Sequence, residues 1–204
     1  MLVLPNGKLA GLIAFEWSAV GDHLDYEGMP LTRLAYAAID RLPPVVAETL
    51  AEVRRYAETD LLCYPSEYPQ ALVEREDAAW LPLLAWAANE FELDFNQNRS
   101  LVHRAQPPLT LDKVQALVEA MSPYEQAGLM AAIPLLGSVI LALALWRGHG
   151  SGEALLAASR IGEDFQSETW GHDEEQVGRA AALKQQASAL ELWFEALPTP
   201  SRYT

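Results

Sequence analysis

Apolar residues recur along this chain with the period of an α-helix. Leu9, Leu12, Ile13 and Trp17 stand at i, i+3, i+4 and i+8 and form one stripe. Leu31, Leu34, Ala38, Ile39 and Leu42 repeat the spacing until Pro43-Pro44 breaks it, and Val45, Val46, Leu50, Val53 and Tyr56 resume it. Thr59 to Pro65 reads as a short apolar connector. After an acidic run from Glu74 to Asp77, Trp80, Leu83, Leu84 and Ala87 share a helical face, and Pro82 fits only that helix's first turn. Phe95 to Ser100 is loop-like. Pro107-Pro108 precedes Thr110, a good N-cap for the helix carrying Leu111, Val114, Leu117, Val118 and Met121. The uncharged run Gln126 to Trp146 reads as a central apolar helix that ends at Gly148-His149-Gly150-Ser151-Gly152. A further helix begins near Glu153. A long last one turns Val177, Ala180, Ala181, Ala187, Leu190, Phe194 and Leu197 inward before Pro198 and Pro200.

No alternating strand run, internal repeat or low-complexity tract interrupts this pattern; Leu2-Val3-Leu4 is at most the stump of a strand. The pattern predicts a mainly α chain, one domain over residues 1–204. It has about seven to nine helices around a central apolar one, a strand stump within 1–6 and a frayed tail at 198–204.

Charge narrows the function. The chain has 204 residues, half of them hydrophobic, and a formal net charge of −14. It lacks the clustered Lys and Arg that a phosphate-contacting surface or an anionic membrane requires, which excludes nucleic acid and membrane surfaces as partners. Its hydrophobicity excludes disorder. The acidity is concentrated: Glu67 to Asp94 holds seven acidic residues and one basic, and so does Glu153 to Glu175. Cys63 is the lone cysteine, so neither an internal disulfide nor a cysteine zinc cluster exists, and its apolar context predicts an inert buried thiol. The N-terminus shows no secretory or mitochondrial targeting pattern, which points to a bacterial cytoplasm. Gln126 to Trp146 is long enough to span a bilayer. Gly128, Pro134 and Gly137 interrupt it, and Ser122-Pro123-Tyr124-Glu125 caps it as the helix of a soluble core.

No enzyme signature is complete. Gly148 to Gly152 has no preceding strand and no following Lys-Ser/Thr to make a phosphate cradle, and no Gly-x-Ser-x-Gly elbow is present. The densest polar stretch runs from Arg160 to Glu175. On one helix, Arg160, Asp164, Glu168, His172 and Glu175 would fall along one side. Two acids spaced four apart, Asp164 and Glu168, with His172 four further on suit a divalent metal, but such a face is more often merely solvated, and no metal site is assigned. Glu163 and Trp170, at i and i+7, form a second stripe that either caps neighbouring backbone or grips a partner. Of six tryptophans, Trp17, Trp80, Trp86 and Trp146 fall on apolar stripes, whereas Trp170 is embedded in charge like a partner-facing anchor. His103, beside Arg99 and Arg104, makes a small basic island suited to pairing with the acidic segments.

Three motifs in order resemble one family. The first is Glu16-Trp17 with Met29-Pro30-Leu31-Thr32-Arg33-Leu34 and Ala38-Ile39-Asp40. The second is Thr59-Asp60-Leu61-Leu62-Cys63-Tyr64 with Trp80-Leu81-Pro82-Leu83-Leu84-Ala85-Trp86-Ala87. The third is Glu163-Asp164-Phe165-Gln166-Ser167-Glu168-Thr169-Trp170-Gly171-His172-Asp173. Together they resemble the "ATP twelve" family, assembly chaperones for the alpha subunit of the F-type ATP synthase catalytic head. The resemblance implies an ATP-independent chaperone without a cofactor, not an enzyme. It would hold the free alpha subunit until the beta subunit replaces it. An acidic residue of the third motif, Glu163 or Glu168, would matter for activity, and Glu163, Phe165, Glu168, Trp170 and Asp173 are the candidate partner-binding residues. Trp17, Arg33, Asp60, Trp80 and Trp86 are the structural residues of the motifs. Eukaryotic relatives would act in the mitochondrial matrix. Family members usually carry a small β-rich domain before the helical one, and here it is expected to be absent or reduced to the stump. Two other classes stay open: a metal- or carboxylate-dependent enzyme centred on Glu163, Glu168, His172 and Asp173, and an all-helical adaptor with another protein partner.

Overall fold

A computed structural model of the chain describes residues 3–99, 104–170 and 174–198, with side chains described except at 169–170 and 174–177. Ten α-helices lie within them: α1 Gly7–Ser18, α2 Pro30–Tyr36, α3 Val46–Glu58, α4 Gln70–Phe91, α5 Pro108–Glu119, α6 Pro123–Leu136, α7 Val139–Trp146, α8 Gly152–Ser159, α9 Ile161–Trp170 and α10 Glu174–Ala196. A π-helical turn, Ala37–Arg41, extends α2. No strand occurs among the described residues, so Val3 and Leu4 are not part of one; Leu2 lies outside them. The mainly α reading holds.

The uncharged run is two helices, not one. Gly137 takes φ 64° and ψ 13°, the left-handed region that costs any residue with a Cβ. Ser138 is extended and caps α7, its hydroxyl accepting from Leu141 N at 3.1 Å. The expected capping box at Ser122 and Glu125 starts α6. α6 folds back onto α7, all eight residues of α7 are buried, and α3, α4, α6, α8 and α10 surround it.

Asp60 holds the α6–α7 junction. Its buried carboxylate accepts from Leu62 N at 3.0 Å, Ser138 Oγ at 2.8 Å, Val139 N at 2.7 Å and Ile140 N at 3.2 Å. These donors include the otherwise unpaired N–H groups at the start of α7, where a negative charge is favoured. Burial pushes the Asp60 pKa up to about 6, against the opposing pull of the Ser138 hydroxyl and three backbone N–H groups. Glu16 does similar work for α2, whose N-cap Met29 offers no side-chain acceptor. It accepts from Leu31 N and Thr32 N at 2.8 Å each and from Thr32 Oγ1 at 2.7 Å. The conjunction of Glu16 with Pro30-Leu31-Thr32 in the first motif is thus a cap built across a loop.

α10 is seated by close approach. A Cβ on Gly152 would lie 2.8 Å from the Ala187 carbonyl carbon, and one on Gly128 would lie 2.6 Å from the Phe194 ring. Trp193 is wholly buried and donates its indole N–H to Tyr124 O at 3.0 Å. Ala187, Leu190, Phe194 and Leu197 face inward as expected, while Ala181 is exposed and the Val177 side chain is outside the described set.

Several local expectations fail for identifiable reasons. Pro82 lies mid-way along α4 and Pro134 inside α6. Pro82 faces solvent, so the Ala78 carbonyl it leaves without a helical partner is open to water, while Trp80, Leu83 and Ala87 bury the other face. Thr110 does not cap α5, because Pro108 already occupies the first helical position; its buried hydroxyl donates to Asp94 O at 2.7 Å instead. Trp17 is 42% exposed rather than buried, because the α1–α2 connection at 21–28 is exposed throughout and covers nothing. Among the described residues no helix is long and apolar enough to cross a membrane.

Candidate functional site

The densest polar stretch does not lie along one helix. Arg160 terminates α8, Ile161 opens α9, and Glu175 belongs to α10. The chain turns a corner at Arg160, whose carbonyl accepts from Asp164 N at 2.8 Å, and Asp164 and Glu168 then follow one turn apart along α9. His172 and Asp173 lie outside the described residues, as does the Trp170 side chain. Among the described residues no three His, Cys, Asp or Glu groups gather to hold a metal.

The two glutamates of α9 serve different partners. Glu163 Oε2 turns back to the Arg160 guanidinium at 2.5 Å. Glu168 Oε1 reaches across to α4 and accepts from Arg75 at 2.8 Å. Half-buried Phe165, one turn before Glu168, lies with its ring centroid 5.1 Å from the same guanidinium. Arg75 thus grips α9 at two positions that share a face.

Arg75 is the only base between Glu67 and Asp94, and Arg160 the only base between Glu153 and Glu175. Each is engaged by a glutamate of α9. The two acidic segments consequently meet: α4 packs against both α8 and α9, and each side brings further exposed acids, such as Glu74 and Asp164. Reasoning from the sequence missed Arg75, although a lone base in a segment of net −6 was a signal for it. Exposed ion pairs of this kind contribute little to stability and mainly fix the relative placement of side chains.

The loop before α4 is tied to the same acidic helix. Buried Glu76 accepts from Ser66 N at 2.6 Å and Ser66 Oγ at 2.8 Å. Arg99 pairs with Asp77 at 2.5 Å and donates to Ser66 O at 2.8 Å. The basic island therefore meets the acidic segment through Arg99; His103 is outside the described residues.

The motif residues fall into two groups. Asp60 is the buried cap described above. Trp80 is 3% exposed and donates to Ala158 O at 2.8 Å, which anchors α4 to the end of α8 just before Arg160. Trp86 stacks on His149 with ring centroids 4.5 Å apart and meets Phe91 edge-on at 5.3 Å. Trp146 is buried and donates to Glu125 Oε1 at 3.1 Å. Arg33 and Trp17, by contrast, are exposed. Cys63 is fully buried, and burial, with Asp60 nearby, pushes its thiol well above the ordinary range, so it is not a nucleophile.

Glu163 and Glu168 are each held by their own guanidinium, so the pair is not arranged for acid–base chemistry. The surface offers fixed negative charge beside a half-buried aromatic ring, which suits recognition of a basic and apolar protein surface.

A family model described as ATP12 chaperone protein matches residues 1–88. The whole fold is similar to the crystal structure of Atp12 from Paracoccus denitrificans, at 36% identity and a TM-score of 0.90, covering 97% of this chain and 84% of that one. The chain belongs to the ATP12 chaperone family. A point mutant of the Paracoccus protein matches at 37% identity and a TM-score of 0.89, covering 96% of this chain and 83% of that one. The Atu1473 protein of Agrobacterium tumefaciens matches at 33% and 0.88, covering 97% and 74%. ATP12 proteins are chaperones, not enzymes, and membership supports a part in ATP synthase assembly. The structural matches extend the likeness from the segment covered by the ATP12 family model to α9 and α10.

Proposed function

We propose that this chain is an ATP-independent assembly chaperone that binds the free alpha subunit of the F-type ATP synthase catalytic head, in the cytoplasm of a bacterium. It keeps that subunit from aggregating until the beta subunit takes its place. Membership of the ATP12 family over nearly the full chain carries this reading. The surface formed by α4 and α9 supports it, because fixed carboxylates and an aromatic ring suit an interface that is sticky and basic. Glu163, Phe165, Glu168, Trp170 and Asp173 are the proposed client contacts, acting by competitive burial without ATP.

The test is light scattering of isolated alpha subunit diluted from denaturant, with and without the purified chain. Suppressed scattering and a co-eluting complex are expected. Glu163→Lys or Glu168→Lys is expected to abolish the complex while the melting temperature stays within a few degrees, because both carboxylates are exposed. Absence of both protection and complex would end the proposal.

A further inference from the structure

Elsewhere on the molecule the sign of the surface reverses. Between α2, its π-helical turn, α6 and α10 lies a groove of about 360 Å³. Its floor includes Leu34, Met130, Ala189 and Leu190, and among the described residues the only charged groups lining it are the guanidiniums of Arg33 and Arg41. Both arginines are exposed. Among the described residues neither enters an ion pair, whereas Arg54, Arg75, Arg99, Arg147 and Arg160 all do. In a chain of net charge −14, a groove lined by two arginines and no acid is a local inversion that nothing inside the fold requires. Its edge is the π-helical turn closed by Leu42 N to Ala37 O at 3.0 Å, an irregularity found frequently at functional sites. Met130 supplies an adaptable apolar floor.

We propose that this groove docks an apolar, carboxylate-bearing segment of the client chain, with its apolar side chains on the floor and its carboxylates on Arg33 and Arg41. The inference rests on the chaperone reading above and adds a second contact of opposite sign. The α4–α9 surface repels an acidic segment and the groove attracts it, so the two together set the orientation of the client and disfavour the reversed pose. Burial of such a segment on an apolar floor follows the helix-in-groove mode of peptide recognition.

The probe is a labelled eighteen-residue amphipathic peptide of Leu, Ala and Glu, with a Leu, Ala and Lys counterpart, titrated against the full chain by fluorescence anisotropy. Two variants are compared: Arg33→Glu with Arg41→Glu, which touches no internal ion pair, and Ala189→Trp, which fills the groove. Circular dichroism confirms folding of each. The expected result is Glu-peptide binding that weakens at least about tenfold in both variants, while Lys-peptide binding, directed to the acidic surfaces, does not weaken. No Glu-peptide binding by the wild type, or binding unchanged in both variants, overturns the proposal. With alpha subunit as client, protection by the wild type that is lost in the double arginine variant supports the groove. Equal protection by both proteins overturns the groove and leaves the chaperone reading standing. Failure of the wild type to protect removes the client reading, and the peptide arm still decides the groove.

Discussion

Replacing Asp60 with asparagine separates the two effects of its carboxylate. One oxygen accepts from Leu62 N and the Ser138 hydroxyl, the other from Val139 N and Ile140 N. An amide keeps one acceptor. With that oxygen on Val139 and Ile140, its NH₂ replaces the acceptor of both Leu62 N and the Ser138 hydroxyl, a cost of about 1–3 kcal/mol for each donor left unpaired. Loss of the charge acts in the other direction. The Asp60 pKa rises from 3.8 to about 6 on folding, so its ionised form is disfavoured in the native state; a shift of that size corresponds to about 3 kcal/mol. The native state binds this proton more tightly than the unfolded chain. Asp60 therefore contributes stability that is full below the unfolded pKa and is lost as pH rises through about 6. The Asp60→Asn variant has no such dependence at this position. The stability of the wild type minus that of Asp60→Asn is expected to fall by about 2 kcal/mol between about pH 4.5 and about pH 8. Urea unfolding of both proteins across that range, followed by circular dichroism and tryptophan fluorescence, measures it. Comparing the pair at each pH cancels the titration of the other carboxylates. A difference that is flat with pH, or that grows as pH rises, refutes the account of this site.

Three further outcomes are expected. Gly152→Ala drives a Cβ into the Ala187 carbonyl and forces α8 away from α10, lowering stability by about 2 kcal/mol in thermal melts; a neutral result would show that this crossing is loose. Glu16→Ala removes the cap on α2 and costs about 1–2 kcal/mol in chemical denaturation, with Glu16→Gln recovering part of it. Arg75→Ala leaves the melting temperature unchanged, because its pair with Glu168 is exposed, yet weakens alpha-subunit capture in a pull-down by freeing Glu168 and Phe165 from their fixed placement. A sharp drop in melting temperature would make Arg75 architectural.

Helical periodicity alone is enough to read the class of the fold, because Leu9 with Ile13, Leu31 with Leu34, and Leu190 with Phe194 repeat at spacings that bury one side of a helix. It does not reveal the fold-back at Gly137, since α7, apolar at all eight positions, has no preferred face and hence no phase to set against that of α6. Pro82 and Thr110 depart from expectation for a shared reason. Local propensity places proline and threonine at helix ends, and tertiary packing of Trp80 and Leu83 on one side and Asp94 on the other overrides it. At the α4–α9 surface, the acidic segments are visible as charge along the chain. Their meeting is not, because it depends on Arg75 reaching Glu168 across 93 positions of sequence. The arginine-lined groove is invisible for the same reason: Arg33 and Arg41 acquire a common floor only when α6 and α10 pack beneath them.

The turn at Gly137-Ser138 also bears on how the newly made chain is sorted. α7 has 8 residues and α6 has 14, about 12 and 21 Å of helix, both short of a hydrocarbon layer about 30 Å thick. Joined without the turn, residues 123–146 would form a rod of about 36 Å whose only charge is Glu125, long enough for translocation machinery to accept as a membrane anchor. Gly137→Ala combined with Ser138→Leu removes both devices that make the break, and an in vitro insertion assay of the two sequences would register the change as glycosylation or protease protection of the flanking segment. A left-handed glycine and a serine cap thus divide the most apolar stretch of the chain into two helices, each too short to cross a hydrocarbon layer.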